Sequence, residues 1–493
     1  MQAVNKNIKL EQYFKKNNMA SDPKIPKYYD GIKPEHRHLV SKQSISKKLS
    51  LHTSKPVQVA IRAIITEEIS SSNPVQNANF LTFHARSHGD QLLYPSDCYH
   101  KLEIKVVKKT GGGDLLTTDN VLLASNTSST MMKNCDLKVN KKVMQSGDGL
   151  YAYRADLEKR LNFTSEGRKN LDICDFEEEE YGKFEDLSSK ITWTSDISEN
   201  PIEVRRFMKR SNKIKNGKIQ YLYDLIHGDI FNQTKPLPPN SEFELTFDKQ
   251  DNPDFYILSR TSIDAGKYVV QIVRSSLILT YIVLDQEILN QILSVTIDDR
   301  INYHYPIRRI EMNYYNKPTG VADFSETNTI IKEGNVIPRR MFIVLVKQSS
   351  FQGNVEKDPF NYINLRPTNI ALRCGGQLLP YPEIKTNRNQ NEDDIREPLL
   401  YLRKSVGLNF SQYFSLGISE DRYREGGCFI IGYDLTSGDS EDVYEMVQRK
   451  TVDLNYILLN TVAEPYVMIV MTEFDAEMTI DEYGNVTKVN NAE

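Results

Sequence analysis

The chain has 493 residues, of which 39% are hydrophobic and 10% aromatic, which is enough apolar material for more than one core and excludes wholesale disorder. Its formal net charge of -4 excludes a polycation that coats nucleic acid along its whole length. Its five cysteines, Cys98, Cys135, Cys174, Cys374 and Cys428, lack the spacing of a zinc site or a disulfide framework, so a reducing, intracellular site of synthesis is expected.

The opening residues, MQAVNKNIKLEQYFKK, lack the apolar h-region of a signal peptide, and the longest apolar run, SSLILTYIVLD, is about half of what a bilayer span needs. The expectation is a soluble product not secreted by the usual route. Residues 1–55 hold twelve Lys or Arg against four Asp or Glu, with few large apolar positions. They read as a flexible basic arm that orders only against a partner, with one amphipathic turn at Ile8, Leu10, Tyr13 and Phe14.

Residues 56–286 form a first strand-rich block. Its expected strands are VQVAIRAII, NFLTFHA, CYHKLEIKVVKK, CDLKVNKKV, KIQYLYDLI, SEFELTF, DFYILS and KYVVQIVRSSLILTYIVL, separated by TGGGD, SGDG, PLPPN and DNPD turns. LYAYRADLEKRLNF, residues 150–163, is the clearest helix, with Leu150, Tyr153, Leu157 and Leu161 on one face. The acidic stretch LDICDFEEEEYGKFED after it reads as an exposed loop. A short helix, DQEILNQILS, leads to a second block at 296–487 with YPIRRIEMNYY, RRMFIVLVKQ, TNIALRC, GGCFIIGYDL, TVDLNYILLN and PYVMIVMTEF as strands. QNEDDIREP marks an exposed excursion and LLYLRKSVG a further helix. Such runs bury an apolar face only against a second sheet, so the expected fold is all-β: two tandem jelly-roll sandwiches with a few short helices.

Local motifs offer little chemistry. His36 and His38 lie in the basic arm without further ligands, and His84, His88 and His100 are dispersed. TGGGD at 110–114 lacks the Lys-Ser or Lys-Thr of a phosphate loop and reads as a hairpin turn, as does CGG at 374–376. The acidic run from Asp175 to Glu180 lacks the alternating ligands of a calcium loop. Arg308, Arg309, Arg339 and Arg340 begin strands, half of them pointing outward to solvent or to a neighbouring subunit. No catalytic signature, metal site or cofactor motif stands out, so no enzyme activity and no cofactor are expected.

The second block resembles the double jelly-roll major capsid proteins of Polinton (Maverick) elements and the related adintoviruses. The likeness rests on YPIRR (305–309), FQGNVEKDPFNYINL (351–365), TNIALRCGGQLLP (368–380), EDRYREGGCFIIGYDLT (420–436) and AEPYVMIVMTEFDAEMTIDEYGNV (463–486). They match, in order, a strand, a Phe-Gly turn with an NPFNF-like segment, a strand ending in a DGQ-like turn, and a terminal strand pair. The first block is similar over CDLKVNKKVM with LYAYRADLEKRLNF, and over LYDLIHGDIFNQTKPLPPNSEFELTF.

The resemblance implies a structural subunit of an icosahedral virion, made in the host cytoplasm and assembled there or in the nucleus. Three chains would form a pseudo-hexagonal capsomer, in contact with neighbouring capsomers, penton and minor capsid proteins and a maturation protease of the same element. The arm then gains a role. Lys6, Lys9, Lys15, Lys16, Lys24, Lys27, Lys33, Arg37, Lys42, Lys47 and Lys48 are expected to meet packaged DNA, an internal membrane or minor proteins on the inner face. The alternative is a β-sandwich carbohydrate- or receptor-binding protein that uses loops such as 164–200 and 383–398 without assembly.

Overall fold

In the computed structural model the described residues are 58, 60–76, 78–176, 202–327, 336–378, 382–386, 394–407, 416–436 and 448–490. The expected basic arm, the His36/His38 pair and most of the acidic run after Asp175 lie outside them.

The first eleven strands are β1 (Ile61–Ser70), β2 (Phe80–Arg86), β3 (Gln91–Leu93), β4 (Tyr99–Lys108), β5 (Val121–Leu123), β6 (Met132–Val139), β7 (Lys142–Gln145), β8 (Gln220–Leu225), β9 (Glu242–Lys249), β10 (Ile257–Ser259) and β11 (Tyr268–Leu284). The remaining ten are β12 (Tyr303–Lys317), β13 (Asp323–Thr327), β14 (Arg340–Lys347), β15 (Pro367–Cys374), β16 (Gln377–Leu378), β17 (Ile384–Lys385), β18 (Ile430–Asp434), β19 (Val452–Leu458), β20 (Tyr466–Ile480) and β21 (Val486–Asn490). Four helices matter below: α1 (Tyr151–Asn162), α2 (Ile202–Ile214), α3 (Gln286–Ile297) and α4 (Arg396–Ser405).

The pairing is the same twice over. One pair of sheets runs β1-β11-β4-β8 and β2-β9-β6-β7, the other β12-β20-β14-β18 and β13-β19-β15-β16. If the eight principal strands of each half are counted in chain order, both halves read 1-8-3-6 in one sheet and 2-7-4-5 in the other, which is jelly-roll connectivity. The chain is therefore a double jelly roll. Alternation explains most strands: in β9 Phe243, Leu245 and Phe247 point inward while Glu242, Glu244 and Thr246 stay half-exposed. β20 breaks that rule, because its continuous apolar run, Tyr466 to Met471, is buried on both faces. Most of the buried apolar side chains of both sandwiches form one connected core, with small separate clusters at Leu92, Leu284 and Leu289 and at Leu171, Cys174 and Phe176.

Several sequence readings shift. CDLKVNKKV is not one strand: Asn140 (φ 46°) and Lys141 (φ 67°) both take left-handed backbone and turn β6 into β7 as a two-residue hairpin. The strand expected at VQVAIRAII begins at Ile61 and continues to Ser70. Helix α2 was not expected, and the helix expected at DQEILNQILS runs on to Ile297 as α3. The CGG turn is as read, with Gly375 (φ 62°) and Gly376 (φ 80°) linking β15 to β16.

Helix α4 lies against β18 at a glycine. A Cβ on Gly432 would stand 2.3 Å from Ser405 Oγ and 3.2 Å from Leu402 Cα. Gly432→Ala is therefore expected to destabilise by about 1–3 kcal/mol, since the helix backbone must move. A thermal melt of the variant checks this; an unchanged midpoint contradicts the close packing.

Candidate functional site: a charged seam between the sandwiches

Helix α1 was expected to bury one face. Instead, every residue from Tyr151 to Leu161 is buried, including Arg154, Asp156, Glu158, Lys159 and Arg160. A polar helix survives in such a place only if each charge is paired and hydrogen-bonded. The apolar positions do as the sequence implied: Tyr153 stacks on Phe351 and meets Phe255 and Phe360 edge-on, so one ring touches both sandwiches. The spacing of the charged residues supplies the rest, because residues four apart share a helix face.

Arg154 Nε donates to Glu158 Oε1 at 2.8 Å and its Nη2 to Asp229 Oδ1 at 3.0 Å. The same Asp229 oxygen accepts the backbone N–H of Ile310 in the second sandwich at 3.3 Å. Glu158 Oε2 lies 2.6 Å from His227 Nδ1. Burial pushes Glu158 up, but Arg154 and His227 prevail and hold its carboxyl at about 2. On the next face Arg160 Nε donates to Asp156 Oδ2 at 2.6 Å, and the Tyr362 hydroxyl donates to that oxygen at 2.5 Å. The Arg160 guanidinium also lies 5.5 Å from the centre of the Tyr362 ring and donates to Cys428 Sγ at 3.3 Å. Lys159 Nζ donates to Asp224 and Asn126 and stands 3.4 Å from Cys174 Sγ. Although burial pushes Asp224 up, Lys159 and Ser129 hold it below the usual carboxylate range. Arg168, beyond the helix, donates to the carbonyls of Phe163 and Leu416 at 2.7 and 2.5 Å.

Arg308, Arg309, Arg339 and Arg340 join this seam; the second pair stands at the start of β14 as read, whereas the first lies inside β12, which begins at Tyr303. Half of each pair turns inward, as strand alternation implied: Arg309 and Arg339 are buried while Arg308 and Arg340 are half-exposed, and the carboxylates they meet, Glu311 of β12 and Glu473 and Asp475 of β20, belong to the same chain. Arg339 Nη1 donates to Asp475 at 3.2 and 3.3 Å, while Arg308 and Arg340 stand 3.9 and 4.0 Å from Glu473 Oε2. Glu473, Asp475 and Glu477 alternate along β20 and so share one face. That face looks into a cavity of about 950 Å³ between the sandwiches, where Lys235, Arg308 and Arg340 add positive charge. The signal was present in sequence as E-x-D-x-E in β20 beside the RR pairs, but it says nothing of partners until the register Arg308↔Asp475 and Arg340↔Glu473 is known.

Most of the seam's charges are paired with one another, and burial pushes the Cys98 and Cys174 thiols up to about 12, far from a nucleophilic thiolate. His100 is pushed down to about 4 by burial, stacks on Phe247 at 4.7 Å and lies 3.0 Å from Ser275 Oγ. His84 and His88 are exposed. Among the described residues no three His, Cys, Asp or Glu side chains are grouped to hold a metal ion, and no helix is long and apolar enough to cross a membrane. Lys6, Lys9, Lys15, Lys16, Lys24, Lys27, Lys33, Arg37, Lys42, Lys47 and Lys48 all lie outside the described residues.

The strand order places the chain among double jelly-roll folds, and solved structures agree. A chain of the Sputnik virophage structure determined by cryo-EM superposes with a TM-score of 0.55 at 12% identity, covering 92% of this chain and 93% of that one. The quasi-atomic PBCV-1 virus capsid gives 0.50 at 10% identity over 89% and 100%, and the Faustovirus major capsid protein 0.50 at 9% over 90% and 92%. The latter two are a virus capsid and a major capsid protein. No family model matches the sequence. An uncharacterised protein of Caenorhabditis elegans is 21% identical over 375 residues, covering 75% of this chain and 83% of its own length.

Proposed function

We propose that this chain is a major capsid protein that forms pseudo-hexagonal trimeric capsomers and, through them, an icosahedral shell. The observation that carries the reading is the pair of identically connected sandwiches joined across a buried ionic seam. A tile needs such a joint: buried ion pairs add little net stability over apolar packing, but they penalise any other docking of the two halves. The fold likeness to capsid proteins of large viruses and a virophage supports the same reading. The motifs at 351–365, 368–380 and 463–486 favour the Polinton and adintovirus branch, and a sequence relative in a nematode fits an element carried in animal genomes.

On this reading the chain divides into an arm at 1–55, a first jelly roll at 56–286 and a second at 296–487. The arm's lysines face the shell interior, where DNA, an internal membrane or minor proteins would meet them, and penton proteins and a maturation protease complete the particle in the virion. Electron microscopy of the expressed full chain tests the proposal. Hexagonal capsomers or closed shells are expected; a uniform field of single chains under gentle conditions contradicts it.

A further inference from the structure

The two sandwiches treat their equivalent edges differently. β12, the first strand of the second half, lies at the rim of its sheet, where free N–H and C=O groups invite pairing. The first sandwich covers that rim with the segment from Asp229 to Pro236. Asp229 accepts the N–H of Ile310 at 3.3 Å, Lys235 Nζ donates to the carbonyl of His304 at 2.8 Å, and the Tyr305 hydroxyl donates to the carbonyl of Pro236 at 3.1 Å.

β1 occupies the same place in the first half and has no such cover among the described residues. It pairs only with β11 among the described residues, and nine of its ten residues are exposed. Its sequence, IRAIITEEIS, is β-branched and apolar where guards against edge pairing are needed, with Ile61, Ile64 and Ile65 exposed to 38%, 64% and 42%. Of the three charges on the strand, only Glu67 stands exposed without an ion pair among the described residues, and it lies toward the far end from the isoleucine cluster at Ile61, Ile64 and Ile65. Arg62 is paired with Asp90, and Glu68 is taken up by Lys101, Ser276 and Arg274 of its own sheet.

We infer that the outer edge of β1 is an intermolecular contact covered by the second sandwich of a neighbouring copy of this chain. The occupant follows from the internal seam. Within the chain a sandwich of this strand order already covers the edge of a first strand, and both halves share that order. The remaining first-strand edge is then met by repeating the same step from one chain to the next. Such a head-to-tail contact builds a ring when its rotation closes, which the proposed capsomer requires. The inference rests on the proposed capsomer and adds which surface builds it.

The test uses the full chain carrying Ile64→Lys, Ile65→Lys or both, with Ile263→Lys, exposed to 72% in a distant turn, as the control. Sedimentation velocity reads the assembly and a thermal melt reads the fold. The expected result is an association at least about tenfold weaker for the β1 variants, with an unchanged melting temperature because these side chains already meet water in the single chain. The control should assemble like the parent. Parent-like assembly of both β1 variants, or equal loss in the control, overturns the inference and leaves the capsid reading standing. A parent chain that stays single overturns both.

Discussion

Lys159→Met is expected to cost about 3–5 kcal/mol, enough to abolish or nearly abolish soluble expression. The side chain is 0% exposed and its partner Asp224 is 1% exposed. Methionine fills the volume but leaves a carboxylate in a dry interior with only Ser129 Oγ at 2.6 Å and the Leu225 N–H at 2.9 Å to hold it. The second half of the experiment separates charge from packing. Adding Asp224→Asn to Lys159→Met removes the stranded charge and should recover more than half of the loss in a chemical denaturation series. No recovery would mean that the lysine acts by shape alone and that the seam is not electrostatically matched.

Asp358→Asn should move stability the other way. Asp358 is buried beside the same helix, and its carboxylate accepts the N–H of Phe360 at 2.8 Å. Burial, with Asp156 adding to it, pushes its carboxyl from an ordinary 3.8 up to about 7 against the pull of Arg210 and Arg160. The folded chain therefore holds a proton that the unfolded chain releases near pH 4. Below that pH both states carry the proton and nothing is lost. As pH rises from about 4 to 7 the unfolded state gains its charge freely, and stability falls by up to about 4 kcal/mol. Asparagine keeps the acceptor oxygen and has no proton to lose. The variant should match the parent near pH 4 and exceed it by about 3–4 kcal/mol at pH 8. Thermal melts across that range decide it, and parallel curves for the two proteins would contradict the raised carboxyl. Glu158 and Asp224 act oppositely, since their depressed carboxyls lose their contribution as pH falls.

The sheets were legible because β strands write a local signature. Runs such as RRMFIVLVKQ and TVDLNYILLN, closed by turn residues, appear as β14 and β19, and the jelly-roll expectation followed from their number. What stayed hidden depends on contacts distant in sequence. α1 was recognised as a helix from Leu150, Tyr153, Leu157 and Leu161, but nothing local foretold that its charged positions are buried as well. Their partners Asp224, Asp229, Tyr362 and Cys428 lie up to 268 residues away. The same blindness hid the partners of the arginine pairs. Arg339 and Asp475 have no local sign of each other, and only the register of β14 on β20 brings them together. The hairpin at Asn140–Lys141 was missed for a different reason. Lysine rarely takes positive φ, so no glycine marked the reversal.

Each half places its earliest principal strand beside its latest: Ile61 pairs with Leu284, and Tyr303 with Ile480. Contact order is therefore high, and each sandwich must wait for its final strand before it can close, which makes folding slow. On the ribosome the N-terminal half can close once β11 has emerged, long before β20 exists. During that interval the outward charges of α1 stay hydrated, and the arrival of Tyr362, Cys428 and Ile310 expels their water last. Nascent chains stalled between these two points should consequently display a helix that is protease-sensitive and open to chaperones, a vulnerability that the finished subunit no longer has.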